Sequence, residues 1–597
     1  MTKAPNPRIQ DTEKHLSQLP ALHLLQKMEP RWRLLTREEA ERERGGKRAN
    51  VYLDGILKES LARINRVELR GQSYPFTENG LAEAIERLKR PRPSGLLRIN
   101  EELTDLLLLG TAVEQTVDGI TRAFQVKFVD WADPSANVFH VCAEFDVERE
   151  HTTDMRRPDL VLFVNGIPFA VIECKGPSTG VDQAVSQHIR NQQDGEIPGL
   201  FRTVQLLVAT SKNDVRYGTV GTAASFWSKW AELEDREADV LAAINAPLDA
   251  DQNRQTFADG FREDRASYDA RFGQGDRLVT EQDRVLWALA RPERLLDLAR
   301  RFTLSDAGEK KIARYQQFFA VRKILRRVTG ERDEEGRRRG GVIWHTQGSG
   351  KSLTMVMLAR ALGLEPSIPD PRIVLVTDRI DLDEQLEGTF KACGLEPKRA
   401  TTGRNLLDLV ATEKRAVVTT LINKFDTALN VRDFSDPSED VFLLVDESHR
   451  GQYGRLHSRM RKIFPNACYL GFTGTPILKT EKNTAAKFGG IIDVYAIDQA
   501  VKDKAVVPLL YEGRHVEQRV DETAIDAWFE RVCAGLSEDQ KADLKRKYAR
   551  TARLFQTEQT IALIAFDVSE HFRRTWKGTG FKGQLVTPSK RSAILYK

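Results

Sequence analysis

Cysteine is scarce in this sequence, and long apolar runs are absent from it. The five cysteines, Cys142, Cys174, Cys393, Cys468 and Cys533, are scattered without Cys-x-x-Cys spacing. Neither a disulfide framework nor a zinc site is therefore predicted. The start of the chain lacks the apolar stretch of a secretory signal, and no later segment approaches the roughly 18 apolar residues of a membrane span. We therefore expect a soluble, cytoplasmic protein with no membrane partner.

A strong charge of one sign is also missing. The 91 Lys+Arg and 86 Asp+Glu residues leave a formal net charge of +5, which permits nucleic-acid binding without indicating it. A hydrophobic fraction of 41% with 30% charged residues excludes wholesale disorder. At roughly 100 to 200 residues per domain, the length predicts about three to five domains. The function must therefore be sought in motifs.

The hydrophobic period changes along the chain. Residues 50–130 have mostly helical spacing, whereas residues 138–210 hold short strand-like runs with one helix candidate, which predicts a mixed α/β unit. Residues 223–280 are polar and acidic, and indicate either a domain junction or an extra helical layer. From residue 311 onward, fully apolar strands alternate with helices, the pattern of a parallel, doubly wound sheet.

The segment RPDLVLFVNGIPFAVIECKG at residues 157–176 predicts a β-hairpin. Two apolar strands meet at Asn165-Gly166, a strong turn signal. Because side chains alternate along a strand, Glu173 and Lys175 must share a face.

The position of Asp159 in this hairpin depends on the loop. A two-residue loop places Asp159 opposite Ile172, whereas a three-residue loop ending at Ile167 places it opposite Glu173. We predict the three-residue loop. Two carboxylates at that distance repel one another unless a divalent cation lies between them, and the nearby Lys175 side chain can then orient a water or, as the neutral amine, deprotonate it.

Pro158-Asp159 followed by Glu173-Cys174-Lys175 resembles the PD-(D/E)xK nuclease motif. The resemblance implies that Asp159 and Glu173 are catalytic and hold Mg²⁺, and that Lys175 assists phosphodiester hydrolysis. A structural salt bridge on a strand is the alternative interpretation.

The helix candidate AVSQHIRNQ follows the hairpin. Gln187 falls at the glutamine of a QxxxY motif that some such nucleases carry, which implies a catalytic role for it. Asn191 stands where those nucleases have tyrosine, so its role stays open.

The run VIWHTQGSGKSLTMVMLAR at residues 342–360 predicts a strand, a glycine-bearing turn and a helix that together bind phosphate. Lys351 would reach the β- and γ-phosphates of ATP, and Ser352 would ligate Mg²⁺. His345 stands where the strict GxxxxGK[ST] pattern has its first glycine. The predicted nucleotide-binding residues of this loop are Thr346, Gly348, Ser349, Gly350, Lys351 and Ser352.

Two further strand ends complete this predicted site. The run VFLLVDESHR at residues 441–450 offers Asp446 to hold Mg²⁺ and Glu447 to activate the attacking water. The run GFTGTP at residues 471–476 ends another strand. Because ligands bind at the carboxyl ends of parallel strands, the three motifs should converge.

In order, HTQGSGKS, VLVTDRIDLDEQL, DESH and TGTP resemble motifs I, Ia, II and III of superfamily 2 helicases. The resemblance implies a RecA-like domain, with Thr377, Asp378 and Arg379 near DNA. Capping of a strand and the start of a helix explain these three residues equally well. Upstream, ARYQQFFAVRKIL resembles the segment with an adenine-contacting glutamine, here Gln317, although an ordinary amphipathic helix also fits.

The combination of both motif sets resembles the restriction (R) subunit of type I restriction-modification enzymes, in RPDLVLFVNGIPFAVIECK, RYQQFFAV, WHTQGSGKS and VDESHR. It implies ATP-dependent translocation of double-stranded DNA and Mg²⁺-dependent cleavage of unmodified foreign DNA, together with methyltransferase (modification) and specificity subunits. Two alternatives are a superfamily 2 DNA translocase whose nuclease-like domain only binds DNA, and an inactive, truncated fragment.

The expected fold is a multidomain α/β protein. A restriction-endonuclease-like domain at 1–225 and a helical, polar connection at 226–280 precede a RecA-like ATP-binding domain at 281–505. The start of a second RecA-like domain follows at 506–597, where FKGQLVTPSKRSAILYK resembles the strand and helix of motif IV. Because no QxxGRxxR-like motif follows, we expect a truncated chain that hydrolyses ATP poorly, since such arginines contribute roughly 10³ to 10⁵ in rate.

Overall fold

The computed structural model divides into two compact units, Met1–Val507 and Pro508–Lys597. The structure describes residues 13–273, 275–429, 435–446, 453–475, 488–514, 527, 529–548 and 558–597. No helix among these residues is long and apolar enough to cross a membrane.

The first half of the first unit mixes helices with short strands. Its α-helices are α1 (Leu19–Gln26), α2 (Arg37–Glu43), α3 (Asp54–Ile64), α4 (Glu78–Lys89), α5 (Leu96–Leu109), α6 (Val181–Asn191), α7 (Pro198–Phe201), α8 (Glu237–Asn245), α9 (Ala250–Thr256) and α10 (Arg265–Phe272). Its strands are β1 (Arg33–Leu35), β2 (Arg66–Leu69), β3 (Gln72–Pro75), β4 (Thr111–Val117), β5 (Ile120–Val126), β6 (Phe139–Ala143), β7 (Val147–Glu148), β8 (Met155–Arg156), β9 (Leu160–Val164), β10 (Ile167–Lys175), β11 (Leu206–Ser211) and β12 (Val215–Gly218). A π-helical turn, Lys14–Gln18, precedes α1.

A mixed six-stranded sheet organises this half, in the order β1-β6-β9-β10-β11-β12. The pairs β1/β6 and β10/β11 are parallel, and the other neighbours are antiparallel. Every residue of β9 and β10 is buried, as their unbroken apolar sequences predict for central strands. Helix α6 packs against β10 and β11.

Two predictions about helices around this sheet had different outcomes. Residues 50–130 contain α3, α4 and α5, but the hairpins β2/β3 and β4/β5 were missed. Strand β4 alternates buried and exposed residues, a period of two that overrides the helical spacing of its neighbours. Helices α8, α9 and α10 occupy the acidic stretch as a helical layer, and Gln26 of α1 donates a hydrogen bond to Thr256 of α9.

The predicted three-residue loop of the β9/β10 hairpin is wrong. Ile167 pairs with Val164, so the loop has two residues, Asn165 and Gly166, both in the left-handed region at φ 52° and 79°. The Asn165 side chain is buried and donates to the Phe128 carbonyl. A Cβ at position 166 would lie 2.6 Å from the Leu53 carbonyl oxygen, so glycine is required there.

A β-bulge nevertheless restores the predicted register. The pairing shifts by one residue between Pro168 and Ala170, which leaves Phe169 unpaired in this ladder. Proline has no N–H to donate, and the Phe169 carbonyl instead accepts from Gln205 N–H at 2.8 Å. Beyond the bulge, Ile172 faces Leu160. The same register, continued by one residue, places Asp159 opposite Glu173.

In its described residues, the second half of the first unit contains nine α-helices and nine strands. Its helices are α11 (Glu281–Ala290), α12 (Pro292–Arg301), α13 (Tyr315–Gly330), α14 (Lys351–Gly363), α15 (Ile380–Ala392), α16 (Gly403–Thr412), α17 (Lys424–Ala428), α18 (Tyr453–Ile463) and α19 (Ile497–Lys502). Its strands are β13 (Thr303–Asp306), β14 (Glu309–Ile312), β15 (Gly341–His345), β16 (Arg372–Thr377), β17 (Lys398–Arg399), β18 (Val417–Leu421), β19 (Val441–Asp446), β20 (Cys468–Thr473) and β21 (Ile491–Tyr495).

A seven-stranded sheet, in the order β17-β18-β16-β19-β20-β15-β21, organises this half. All of its neighbouring strands are parallel. Alternate residues of β19 enter different cores, with Phe442 and Leu444 in one and Leu443 and Val445 in the other. Both faces are therefore covered, and the predicted α/β fold with a doubly wound parallel sheet is confirmed.

The two halves of the first unit are joined through Lys310 of β14. Its ammonium donates to Asn100 Oδ1 at 2.6 Å and to Gln205 Oε1 at 2.8 Å. It also donates to Thr104 Oγ1 at 3.0 Å and to the Val204 carbonyl at 3.4 Å. All four acceptors are neutral groups of the first half.

The buried setting of Lys310 predicts a pH-dependent stability. Burial, with a smaller contribution from Arg360, lowers the pKa of Lys310 from 10.5 to about 7, against opposing contributions from Asp105 and Glu101. The unfolded chain therefore binds more protons between these two values, and the free energy of unfolding should rise with pH across that window. Between pH 7 and 9, the free energy of unfolding measured by chemical denaturation should rise by about 1 to 2 kcal/mol more for the wild type than for Lys310→Met. Equal pH dependence of both proteins would contradict this assignment.

The second unit, in its described residues, contains α20 (Glu538–Tyr548), α21 (Glu558–Thr575) and α22 (Lys590–Tyr596). The helix predicted after FKGQLVTPSK is confirmed as α22. The strand predicted in residues 581–587 is wrong, because these residues have no regular structure. A strand needs a neighbour for its backbone hydrogen bonds, and the described residues of this unit offer only helices.

Candidate active sites

The β9/β10 hairpin brings Asp159, Glu173 and Lys175 together. Glu173 is fully buried, and Asp159 lies just before β9. The Asp159 carboxylate Oδ2 accepts the Cys174 N–H at 2.7 Å and lies 3.8 Å from Lys175 Nζ. This contact fixes the Asp159 carboxylate beside the end of β10.

The two carboxyl groups are both reluctant to ionise. Burial raises the pKa of Asp159, with Lys175 opposing it, and burial together with the neighbouring Asp159 raises the pKa of Glu173 well above its ordinary value. Glu173 Oε1 is buried and has no hydrogen-bond partner among the described residues. A buried acid with an unused oxygen is costly unless a ligand or proton compensates it.

These groups fit a hard divalent cation. Carboxylate oxygens are the ligands that Mg²⁺ prefers, and an ion beside Asp159 would use the unpartnered oxygen of Glu173. No cluster of three or more His, Cys, Asp or Glu side chains within the described ranges is arranged to hold a metal ion. Main-chain, water or substrate oxygens would therefore complete the coordination.

Lys175 is held as a charged group. Burial alone would lower its pKa, but the nearby carboxylates of Asp159, Glu13 and Glu173 outweigh that effect and raise it. Its Nζ donates to the Cys174 carbonyl at 2.7 Å. Orientation of water and stabilisation of negative charge suit this ammonium better than proton abstraction does.

The turn that is predicted to bind phosphate connects β15 to α14. Gly348 and Gly350 have φ of 83° and 87°, which non-glycine residues rarely adopt. Lys351 and Ser352 begin the helix, so the backbone N–H groups of its first turn are available to an anion. Thr346 and Ser349 are buried in the turn, where Ser349 N–H donates to the Thr346 carbonyl at 3.2 Å.

Neighbouring strand ends reach the same turn. A Cβ at Gly474, just after β20, would lie 2.9 Å from Lys351 Nζ and 3.3 Å from the Gln347 amide nitrogen. Half-buried Asp446 ends β19, which pairs with β20. Glu447 and the proline of TGTP lie outside the described residues. Lys351, Asp446 and the TGT strand end thus stand at one edge of the sheet.

Gln317 in α13 also contacts this turn. Its Nε2 donates to the Gly350 carbonyl at 3.1 Å, and its Oε1 accepts the Arg314 N–H at 2.9 Å. A Cβ at position 350 would lie 2.7 Å from Gln317 Nε2, so this approach requires glycine. Its contact with adenine stays a prediction.

Comparison with known proteins finds matches for both the amino-terminal part of the chain and the part that contains the seven-stranded sheet. Residues 10–226 match the type I restriction enzyme R protein N terminus, and residues 316–542 match the SWI2/SNF2 ATPase. A relative from Methanocaldococcus jannaschii, assigned as the MjaIXP type I restriction enzyme endonuclease subunit, is 31% identical over 506 residues, covering 83% of this chain and 46% of its own. The HindI type I restriction enzyme endonuclease subunit of Haemophilus influenzae is 28% identical over 583 residues, covering 92% and 50%. The chain belongs to the family of type I restriction enzyme R proteins.

The chain spans about half the length of these curated relatives. A solved HsdR fragment of a type I restriction enzyme from Vibrio vulnificus covers 73% of this chain and 71% of its own, at 14% identity. Its TM-score of 0.27 is too low to support a structural argument.

Gln187 lies beside the carboxylate pair of the R protein. Its Nε2 donates to Glu173 Oε2 at 2.7 Å from α6. This bond holds Glu173 Oε2, while Oε1 has no hydrogen-bond partner among the described residues. Asn191, at the end of α6, is buried and accepts from Arg190 Nη2 at 3.0 Å.

The motif Ia residues of the R protein lie at the ends of secondary-structure elements. Thr377 ends β16 and is buried, and Arg379 is the N-cap residue of α15. The Arg379 side chain is 53% exposed, 4.0 Å from Asp378. Arg379 thus occupies the N-cap position of α15 without a side-chain cap hydrogen bond, and DNA contact stays a prediction.

Sequence reasoning missed the contribution of the amino-terminal turn of the R protein. Gln18 Nε2 donates to the Asp159 carbonyl at 3.2 Å. The two residues are 141 positions apart, and no local pattern around Gln18 signals the contact.

Proposed function

We propose that this R protein is the restriction subunit of a type I restriction-modification system. It would use ATP to translocate double-stranded DNA and Mg²⁺ to cleave unmodified foreign DNA, together with methyltransferase and specificity subunits. The observation that carries the proposal is the presence, in one compact unit, of a buried carboxylate pair with a lysine and a phosphate-binding turn. The family names of the relatives point to the same activity.

In the nuclease centre, Asp159 and Glu173 would hold Mg²⁺. The ion would polarise the scissile phosphate and lower the pKa of a bound water. Gln187 keeps Glu173 oriented through its 2.7 Å hydrogen bond. Charged Lys175 would orient the attacking water and stabilise charge that develops on the phosphate.

In the motor centre, the turn before α14 would bind the phosphates of ATP. Its backbone N–H groups and Lys351 supply positive charge, while Ser352 and Asp446 are the proposed ligands of the Mg²⁺ that accompanies ATP. Glu447 would activate the hydrolytic water. Gln317, which already donates to the Gly350 carbonyl, would couple adenine binding to the conformation of the turn.

The dependence of cleavage on ATP tests this function. The chain would be mixed with its methyltransferase and specificity partners and a circular plasmid with one unmodified recognition site, in Mg²⁺. Cutting is expected with ATP, and not with an analogue that lacks a hydrolysable β–γ bond. Cutting that does not require ATP would contradict the proposed coupling.

A translocase whose nuclease-like domain only binds DNA is the second candidate. The departure from the QxxxY pattern at Asn191 is the observation that favours it. In the same assay, this candidate predicts DNA-stimulated ATP consumption without any cut plasmid.

A further inference from the structure

The amino-terminal turn, residues 13–18, lies against the nuclease centre. It consists of Glu13 and the π-helical segment Lys14–Gln18. Such π-helical turns are rare in proteins, but those that occur often lie at functional sites. Gln18 holds the Asp159 carbonyl, as noted above. Ser17 is buried and its hydroxyl donates to Gln282 Oε1 at 2.6 Å. The turn therefore packs against β10 and holds the residue that precedes β9.

Glu13 places a third carboxylate at this centre. Its Oε1 lies 3.4 Å from Lys175 Nζ. Burial raises the pKa of Glu13; Lys175 opposes this shift, and the carboxylate of Asp159 adds to it. Glu13 thus interacts electrostatically with both Asp159 and Lys175, although it is 162 residues from Lys175 in the chain.

The distances from the Lys175 ammonium to its acceptors indicate the role of Glu13. The ammonium has its closest acceptor in the Cys174 carbonyl at 2.7 Å, with Glu13 at 3.4 Å and Asp159 at 3.8 Å. A lysine side chain is flexible, so its head group moves toward whichever anion remains. Without the charge of Glu13, the ammonium would move toward Asp159, where it would compete with a divalent cation.

We propose that Glu13 is a positioning residue of the nuclease centre, which holds the Lys175 ammonium away from the carboxylate pair. This inference rests on the proposed nuclease function. Direct metal ligation by Glu13 is not part of it, because the described residues contain no three-residue cluster suited to a metal ion. Glu13 therefore acts on the metal site through Lys175.

A double-mutant cycle tests this assignment. Isothermal titration calorimetry would measure Mg²⁺ affinity of the chain as wild type, Glu13→Gln, Lys175→Ala and the double variant. Glu13→Gln should weaken Mg²⁺ binding about fivefold to tenfold when Lys175 is present, and have no effect when it is absent. An equal loss in both backgrounds would mean that Glu13 acts through its own charge, and would overturn the proposal.

Plasmid cleavage by the complex of the chain with its partner subunits provides the second readout. Glu13→Gln should raise the half-saturating Mg²⁺ concentration by a similar factor and leave ATP hydrolysis unchanged, whereas Glu13→Asp should recover part of the effect. Glu38→Gln, on the exposed face of α2, is the matched control and should behave as wild type. A fall in thermal stability with an unchanged Mg²⁺ requirement would show an anchoring role only and overturn the proposal.

The design separates this inference from the proposed function. If wild type consumes ATP but cuts no plasmid, the nuclease function fails, and the premise of the inference fails with it. If wild type cuts and Glu13→Gln cuts with the same Mg²⁺ dependence, the nuclease stands and the role of Glu13 is refuted.

Discussion

Replacing Glu173 with glutamine will abolish DNA cleavage while ATP hydrolysis continues. The substitution removes one of the two charges that would hold Mg²⁺ but preserves shape, and the amide oxygen can still accept from Gln187. A loss of about 4 kcal/mol of transition-state stabilisation corresponds to roughly 10³-fold in rate. Cleavage of plasmid by the complex with its partner subunits, assayed beside ATP turnover, measures both effects.

The same substitution should stabilise the metal-free protein. Burial and Asp159 raise the pKa of Glu173 well above 4.5, so above pH 4.5 the unfolded chain releases this proton while the folded protein retains it, which lowers the stability of the wild type. Glutamine removes that cost and can donate its amide N–H toward Asp159. The gain in free energy of unfolding should grow as pH rises from 4.5 toward the folded pKa of Glu173.

Glu102→Gln, exposed on α5, is the control for this stability gain. It should change neither cleavage nor unfolding. Retained cutting by Glu173→Gln would remove Glu173 from the nuclease centre, and a loss of stability would mean that its carboxylate is compensated in the metal-free protein.

Replacing Lys351 with alanine will stop both ATP hydrolysis and ATP-dependent cleavage. Lys351 begins α14 and lies within 2.9 Å of the Cβ position of Gly474, so its charge stands where the two motifs meet. Its removal takes away the main side-chain charge for the phosphates, and we expect at least about 100-fold slower turnover. A phosphate-release assay measures this directly.

Lys414→Ala, on the exposed surface of the same half, is the matched control and should leave turnover unchanged. ATP-dependent cleavage at the wild-type rate by Lys351→Ala would count against the motor assignment. The pair of variants is informative because Glu173→Gln should lose cutting alone, whereas Lys351→Ala should lose both activities.

The β9/β10 hairpin shows how much of this site could be predicted from the sequence. Alternation along β10 correctly places Glu173 and Lys175 near one another, and Asp159 contacts both. The loop was wrong because Asn165-Gly166 makes a two-residue turn, and the bulge at Phe169 restores the register. At the bulge, the N–H of Gln205, 36 residues away in the chain, donates to the Phe169 carbonyl, a contact that the local sequence does not reveal.

The half of the first unit that contains the seven-stranded sheet was predictable for a different reason. Strands covered on both faces must be apolar throughout, so β16, β19 and β20 stand out in the sequence, and their carboxyl ends locate the site. The link through Lys310 and the contact of Glu13 with Lys175 leave no such pattern. They join residues about 100 to 210 and 162 positions apart, respectively, and only tertiary packing brings them together.

The most direct test of the central claim compares wild type with Lys175→Ala in plasmid cleavage. Both chains would be assayed with methyltransferase and specificity partners in Mg²⁺ and ATP, with ATP consumption followed in the same reactions. The account predicts that wild type cuts, and that Lys175→Ala consumes ATP at the wild-type rate but leaves the plasmid intact. Equal cutting by both chains would contradict the claim that Asp159, Glu173 and Lys175 form the nuclease centre.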